Sequence, residues 1–279
     1  MTVTTDRGAA AKSVAQAVPR QSARTGAVAQ LSRADRVARG KDARTAAPLE
    51  SHAEFRPGRG RDPVGLLLGQ AASRVPELVP VRHGRMLVSP FTYYRGAARP
   101  MAADLAGTPA AGLRVQLCGD AHLSNFGAFA SPERNLVFDV NDFDETLPGP
   151  FEWDVKRLAA SLIVAGRDNG FTAKASRKLA LAAAEGYRTA MRGFAQQPFL
   201  DVWYATMDVE PALAEVRSQI KAKRVKVFEK LLAKARTKDS TSALAKLTAE
   251  VNGERRIISD PPTIVRPPSP AARPRPSPR

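Results

Sequence analysis

The sequence has very few cysteine, histidine and aromatic residues. Among its 279 residues are one cysteine, three histidines and 6% aromatic side chains. The single cysteine, Cys118, excludes an internal disulfide bond and suits a reducing compartment, so we expect a cytoplasmic protein. With so little histidine, a zinc site built from histidine alone is not expected.

Long apolar runs are absent as well. No stretch approaches the roughly 20 apolar residues that a membrane-spanning helix needs. The N-terminus also lacks the hydrophobic core of a signal peptide. We therefore expect no membrane span.

The positive charge of the chain is concentrated near its two ends. The formal net charge is +16, and much of the basic excess lies in residues 1–50 and 216–279. Residues 1–50 and 261–279 offer little to bury, so we predict a disordered tail at each end, with a short helix at Leu31–Arg39. The sequence has neither zinc spacing nor an aromatic stacking motif, so we expect no specific nucleic-acid partner.

Between the tails, acidic residues form two clusters separated by an apolar link. The clusters are Gly119-Asp120-Ala121-His122-Leu123-Ser124-Asn125 and Asp139-Val140-Asn141-Asp142-Phe143-Asp144-Glu145. Carboxylates so close together repel one another unless a cation or a proton lies between them. Oxygen ligands of this kind suit Mg²⁺ or Mn²⁺. In an extended segment Asp142 and Asp144 share one side, so Asp142 is the first candidate metal ligand and Asp144 the second.

The spacing within the first cluster is that of a phosphoryl-transfer loop. Asp120 and Asn125 are five residues apart. The same spacing separates the proton-accepting Asp and the metal-binding Asn of the catalytic loop in protein kinases. Apolar runs at Arg114–Cys118 and Asn135–Asn141 predict two strands next to this loop. A hairpin of these two strands would bring Asp142 back beside Asp120.

Together these motifs resemble known families. Gly119-Asp120-x-His122-x-x-Asn125, followed by Asp142-Phe143-Asp144, resembles the loop of the aminoglycoside-phosphotransferase branch of the kinase-like superfamily. Residues from 51 to about 260 resemble the bacterial domain-of-unknown-function family 2252, through the strings SPFTYYRGAA, CGDAHLSNFG and NDFDETLPGPFEWDVKRLAAS. The resemblance implies that His122 orients the loop and that Asp154 anchors it.

The resemblance also implies an α+β, protein-kinase-like fold with two lobes. The domain would span residues 51–260, with a reduced N-terminal lobe over 51–113 and a helical C-terminal lobe over 114–260. Local patterns predict helices from Asp62-Pro63, over Ala97–Ala106, from Phe151 to Asp168, from Thr172 to about Phe194, from Pro211 to about Ala235 and over Ser240–Val251. They predict a strand over Ser89–Tyr94 and at most a short strand within Leu78–Val88.

The function implied by this resemblance is Mg²⁺-dependent phosphoryl transfer from ATP to the hydroxyl of a small molecule. Asp120 would be the catalytic residue, while Asn125 and Asp142 would hold the metal ion, with Asp144 as a further ligand. The expected partners are therefore a nucleotide and a small-molecule acceptor.

One expected part of a kinase is missing from the sequence. Kinases supply a lysine to the nucleotide phosphates, yet no lysine lies between Lys41 and Lys156, and no G-x-G-x-x-G loop is present. Arginine can bind phosphate through two hydrogen bonds, so Arg95 is the candidate for this cationic role. Arg82 and Arg85 are its rivals, and an ion pair between the lobes is the alternative role for Arg95.

Two other functions stay open. The missing lysine and glycine loop favour a catalytically inactive, kinase-like nucleotide-binding module. Asp120, Asp142 and Asp144 could instead serve a metal-dependent phosphohydrolase or nuclease. Members of the resembled family continue with folded sequence beyond the point where this chain turns proline-rich, so we expect a chain truncated at its C-terminus.

Overall fold

Three two-stranded antiparallel sheets lie among the helices of the described chain. The computed structural model describes residues 31–217, 222–237 and 240–264. The helices are α1 Arg33–Ala46, α2 Pro63–Ala71, α3 Val79–Met86, α4 Pro90–Arg95, α5 Ala98–Leu105, α6 Glu152–Asp168, α7 Ala173–Phe194, α8 Phe199–Trp203, α9 Val209–Arg217, α10 Ala222–Arg236 and α11 Ser240–Leu247. The strands are β1 Arg114–Leu117, β2 Phe126–Ala130, β3 Leu136–Val140, β4 Leu147–Pro150, β5 Thr248–Val251 and β6 Glu254–Ile257.

The chain divides into two units, residues 1–41 and 42–279. Of the first unit, the structure describes residues 31–41, which contain the start of α1. Ser32 caps this helix, because its Oγ accepts a hydrogen bond from the Asp35 backbone N–H at 3.1 Å. The short helix predicted at Leu31–Arg39 is therefore present, and residues 1–30 of the predicted tail lie outside the described part.

The pairing of the first four strands differs from the predicted hairpin. β1 pairs with β4, in the register Arg114↔Pro150. β2 pairs with β3, in the register Phe126↔Val140. The prediction that the first two strands noted in the sequence pair with each other is therefore wrong. A short turn joins β2 to β3, and Arg134 in that turn has φ 67°. Because the two strands are neighbours in the chain, their pairing has a low entropic cost of loop closure.

The longest two described helices, α6 and α7, are present where their sequence patterns predicted helices, and they pack against each other. Thr172 caps α7 by accepting the Ala175 N–H at 3.2 Å. Gly166 in α6 faces Ser176 in α7 so closely that a Cβ at Gly166 would lie 2.5 Å from the Ser176 Oγ. The two helix backbones therefore approach at a point where only glycine fits.

A separate apolar core lies beneath the β2–β3 hairpin. It consists of buried side chains from β3, α9 and α10, namely Leu136, Val209, Leu213, Leu232 and Ala235, with Ala128 packed against them. An isolated bridge between Val137 and Asp208 joins β3 to the start of α9. This core therefore packs against the β2–β3 hairpin.

Helices replace the strands predicted before β1. The segment Ser89–Tyr94 was predicted as a strand, and this is wrong, because it forms the start of α4. Ser89 and Thr92 form a capping box: the Ser89 Oγ accepts the Thr92 N–H at 3.2 Å and the Thr92 Oγ1 accepts the Ser89 N–H at 2.8 Å. Pro90 stands at the first helical position. These local helix-start signals outweigh the strand preference of the aromatic residues.

The same correction applies to the preceding segment. Residues 79–86, within the predicted Leu78–Val88 segment, form α3 instead of a strand. Pro80 lies in the first turn of this helix, where its missing N–H costs no hydrogen bond. The predicted helices after Asp62 and over Ala97–Ala106 are present as α2 and α5.

The helices predicted last in the chain correspond to α9, α10 and α11. The single helix predicted from Pro211 to about Ala235 is described as α9 and α10, with residues 218–221 outside the described part. The helix predicted over Ser240–Val251 ends at Leu247, where β5 begins. Of the predicted C-terminal tail, residues 261–264 form a turn closed by a bridge between Asp260 and Ile264, and residues 265–279 lie outside the described part. Within the described ranges no helix is long and apolar enough to cross a membrane.

Candidate functional site

The loop from Cys118 to Asn125 lies between the β1–β4 pair and the β2–β3 hairpin. It connects β1 to β2, and Gly119 within it has φ +84°, a conformation that favours glycine. A Cβ at Gly119 would also lie 2.0 Å from the Glu145 carbonyl oxygen. At the other end of the loop, Asn141 donates its N–H to the Asn125 carbonyl at 3.0 Å. The end of the β2–β3 hairpin therefore carries Asp142 back to the loop, although the pairing that does so is not the predicted one.

Helix α6 holds the loop through its backbone. The carboxylate of Asp154 accepts the Cys118 N–H at 2.7 Å through Oδ2 and the Gly119 N–H at 3.1 Å through Oδ1. Ser161, which is fully buried, accepts the Leu123 N–H at 3.0 Å. The loop conformation is thus fixed by hydrogen bonds between side chains of a rigid helix and backbone groups of the loop. Asp154 occupies the anchoring position that the sequence resemblance implied.

The carboxylate of Asp120 is buried and paired with an arginine. Asp120 is 6% exposed, and Arg157 on α6 is 2% exposed. Arg157 donates to the Asp120 Oδ1 from its Nε at 2.7 Å and also from its Nη2. The same guanidinium donates to the Tyr94 carbonyl at 2.8 Å and lies 4.2 Å from the centroid of the Tyr94 ring. The pair therefore joins the loop, α4 and α6 in one buried contact.

His122 lies beside the second oxygen of Asp120. Its Nε2 is 3.6 Å from the Asp120 Oδ2, and its Nδ1 accepts the Ser124 N–H at 3.1 Å. Burial lowers the pKa of His122, against the opposing effect of Asp120, and the charges of Arg157 and Arg95 lower it further. A neutral imidazole that accepts at Nδ1 carries its proton on Nε2 and directs it towards Asp120.

The predicted metal ligands are brought to one end of the β2–β3 hairpin. Asn125 is buried and donates its Nδ2 to the Asp120 carbonyl at 2.9 Å, so its Oδ1 is the oxygen left for another partner. Asp142 is half-buried, and its Oδ1 accepts the Asp144 N–H at 3.3 Å. Asp144 is exposed. Each of these side chains carries an oxygen donor of the type that Mg²⁺ takes.

Those residues do not form a complete metal cage. In the described ranges no group of three or more His, Cys, Asp or Glu side chains is placed to hold a metal ion. Mg²⁺ is commonly bound by one or two protein carboxylates, with phosphates and water completing its shell. The donor set of Asn125 and Asp142 fits that second kind of site.

Glu145 belongs to the site, although the sequence offered no signal that set it apart from its acidic neighbours. Its pKa is raised by burial and by the nearby charges of Asp120, Asp142 and Asp144. The charges of the three aspartates therefore disfavour the charged form of Glu145, which is a situation that a bound cation would relieve.

Three arginines approach the site from the helices before β1. Arg95, at the end of α4, is exposed and close enough to His122 to lower the pKa of that imidazole. Arg82 on α3 donates its Nη2 to the Gly96 carbonyl at 2.7 Å. Arg74, just after α2, lowers the pKa of Arg82 and also acts on Glu145. Sequence reasoning named Arg95 and Arg82 as phosphate-binding candidates and missed Arg74.

Cys118 is not placed for nucleophilic chemistry. Burial, followed by the charge of Asp154, raises the pKa of its thiol to about 11. Its Sγ faces the Asp142 carbonyl at 3.6 Å. A thiol with this pKa is protonated at neutral pH and acts as a small packing residue.

Comparison with known proteins gives a family and no activity. The model of a family described as "Uncharacterized protein conserved in bacteria", domain-of-unknown-function family 2252, matches residues 74–275. No curated protein and no solved structure matches the chain.

Proposed function

The chain belongs to domain-of-unknown-function family 2252, as its motifs indicated, and we propose that this member is a Mg²⁺-dependent phosphotransferase with a kinase-like, two-lobed fold. The reaction would move the terminal phosphoryl group of ATP to the hydroxyl of a small molecule. The observation that carries the proposal is the placement of Asp120, Asn125 and Asp142 around one loop and one hairpin.

The order of the elements supports the kinase-like reading. A strand leads to the Asp120–Asn125 loop, a hairpin follows, and Asp142 stands directly after that hairpin. In kinases the proton-accepting Asp, the metal-binding Asn and the later metal-binding Asp fall in the same order. Here the Asn125 side chain uses its nitrogen within the loop, and this leaves its oxygen for a cation. The anchor from Asp154 holds the loop in that arrangement.

The residues of this chain would act mainly by positioning and by charge. Asp120 would orient the acceptor hydroxyl and take its proton through Oδ2, the oxygen that Arg157 does not hold. His122, which is neutral, would support that oxygen. Asn125 and Asp142 would hold a Mg²⁺ ion, which when bound neutralises the charge of the phosphates. A firmly anchored loop suits such chemistry, because phosphoryl transfer depends on alignment and charge stabilisation.

A second candidate is a nucleotide-binding module without catalysis, and one observation favours it. Asp120 is 6% exposed and engages Arg157, whereas a general base must reach the proton that it removes. In this alternative the Asp120–Arg157 pair is structural, and only Asn125 and Asp142 contact a ligand through a cation. The two candidates differ in turnover and share nucleotide binding.

The test is ATP turnover by the full chain, measured as ADP and phosphorylated acceptor formed with Mg²⁺ present and a pool of small hydroxyl compounds as acceptors. We expect Asp120→Asn to lower turnover by about 10²- to 10⁴-fold while nucleotide binding is retained. Asp142→Asn should abolish metal-dependent binding. Asp139→Asn is the matched control, because Asp139 is exposed on β3 and its Oδ1 accepts only the adjacent Val140 N–H at 2.7 Å.

The results of this test distinguish the phosphotransferase, the binding module and the hydrolase. Unchanged nucleotide affinity in Asp142→Asn would remove the central argument for phosphoryl transfer at this hairpin. Nucleotide binding without any turnover would support the binding module. Phosphate release that needs no acceptor would indicate a hydrolase.

A further inference from the structure

Arg74 and Arg82 lie before the acidic loop in the chain, and in the described ranges neither is paired with a carboxylate. Arg82 is half-buried on α3, and one of its nitrogens is held by the Gly96 carbonyl at 2.7 Å. Arg74 is half-buried just after α2, and its Nε is buried without a hydrogen-bond partner in the described chain. Buried polar groups are normally hydrogen-bonded, so an unsatisfied guanidinium nitrogen calls for an explanation.

Arg82 is linked to the acidic loop through the end of α4. Its partner Gly96 follows closely after Tyr94, whose carbonyl accepts a hydrogen bond from the Arg157 guanidinium that also holds Asp120. The pKa of Arg82 is lowered by burial and next by the charge of Arg74, while Glu145 and Asp120 act in the opposite direction. Neither arginine forms a salt bridge of 4.0 Å or less with a carboxylate in the part of the chain that the structure describes. Two partly desolvated like charges side by side are unfavourable unless an anion joins them.

We propose that Arg74 and Arg82 bind the terminal phosphate groups of a nucleotide at the edge of the Asp120–Asn125 loop. This inference rests on the proposed function and names the cations of that same site. Arginine suits the role because its planar guanidinium donates two parallel hydrogen bonds to phosphate oxygens. The pair would take the place of the lysine that the region between Lys41 and Lys156 lacks.

The geometry favours these two residues over Arg95. Arg95 is exposed at the end of α4, where its long side chain keeps its freedom and its charge is screened by water. Arg82 is held in place by its bond to the Gly96 carbonyl, so less conformational freedom is lost when it binds an anion. In the part of the chain that the structure describes, the Arg74 Nε is the donor of the pair that is buried without a hydrogen-bond partner.

The experiment is a calorimetric titration of the full-length chain with inorganic pyrophosphate, made with and without Mg²⁺. The variants are Arg74→Gln, Arg82→Gln and the control Arg85→Gln, which removes an exposed charge from the same helix as Arg82. We expect Arg74→Gln and Arg82→Gln each to weaken binding by about tenfold or more, since each removes charge-assisted hydrogen bonds. Arg85→Gln should stay within about twofold of the unchanged chain. Urea unfolding of each variant tests whether the fold is kept. If Arg82→Gln does not fold, the pyrophosphate affinity of Arg74→Gln alone tests the arginine site.

Failure of this inference differs from failure of the proposed function. If the chain turns over ATP and neither substitution raises the KM for ATP, the arginine site is refuted and phosphoryl transfer stands. If pyrophosphate binds through Arg82 and ATP is not turned over, the arginine site stands and phosphoryl transfer is refuted. No pyrophosphate binding under either condition, or equal losses in all three variants, also overturns the arginine site.

Discussion

Removal of the Arg157 side chain is the sharpest test of how the site is held. Arg157→Met replaces the guanidinium with an apolar side chain and leaves the Asp120 carboxylate buried, with only the His122 Nε2 at 3.6 Å beside it. Breaking a buried ion pair by removing one partner costs about 3–5 kcal/mol. The substitution also removes the hydrogen bond to the Tyr94 carbonyl. We therefore expect the free energy of unfolding to fall by about 4 kcal/mol.

A double-mutant cycle shows whether the loss comes from the uncompensated charge. Asp120→Asn in the Arg157→Met background removes that charge, so we expect the double variant to recover about 2–3 kcal/mol relative to the sum of the single effects. The assay is urea unfolding, in which a loss of this size moves the midpoint by about 1–2 M.

The control for this cycle is the exposed pair of Arg61 and Asp104. The Arg61 Nε donates to the Asp104 Oδ1 at 2.6 Å, but the Arg61 side chain is 40% exposed. Exposed ion pairs contribute little to stability, so Arg61→Met should move the midpoint far less than Arg157→Met. A change in Arg157→Met no larger than that control, or a cycle without coupling, would refute the reasoning.

Three further substitutions test neighbouring contacts by urea unfolding. Gly119→Ala should lower the free energy of unfolding by about 3 kcal/mol or more, because the added Cβ would lie 2.0 Å from the Glu145 carbonyl oxygen. The control is Gly112→Ala, where φ is +75° and the space around the Cβ is open, so the loss should be only about 1–2 kcal/mol. Equal losses in the two variants would argue against the close approach at Gly119. Ser161→Ala leaves the Leu123 N–H without an acceptor and should cost about 1–2 kcal/mol, whereas an unchanged midpoint would show that this hydrogen bond does not hold the loop. The pKa of Glu145 is raised in the folded chain above its ordinary value of 4.5, so the protonated form favours folding and stability falls as the pH rises through the raised pKa. Glu145→Gln should remove this fall and should be more stable than the unchanged chain at neutral pH. Parallel curves of stability against pH for the two proteins would contradict this expectation.

Features with local signals could be predicted from the sequence. Helix α2 begins at Asp62-Pro63 and α7 at Thr172 because each start has its cap next to it in the chain. The residues from Asp120 to Asn125 were predicted to form a loop after a strand from their local pattern, and they lie in the connection from β1 to β2. In contrast, Ser89–Tyr94 was misread because its aromatic residues favour strands, while the capping box that makes it a helix was overlooked.

Features that depend on distant residues could not be predicted from the sequence. The partner of Asp120 is Arg157, 37 residues further on, and nothing near either residue marks the pair. The same limit applies to Arg74 and Arg82, because their proximity depends on how α2 and α3 pack. The strand pairing was mispredicted for the same reason, since β1 and β4 are separated in the chain by the whole β2–β3 hairpin.

The central claim is a metal–nucleotide site at the Asp120–Asn125 loop, and thermal unfolding of the full chain tests it most directly. The chain is heated without ligand, with ATP, with Mg²⁺ and with both together. A ligand that binds the folded chain at about 100 times its Kd adds about 2.7 kcal/mol to stability, which corresponds to a rise in Tm of about 5–10 °C for a chain of this size. Our account predicts that this rise needs ATP and Mg²⁺ together and is lost in Asp142→Asn. A cooperative transition that none of these additions moves would contradict it.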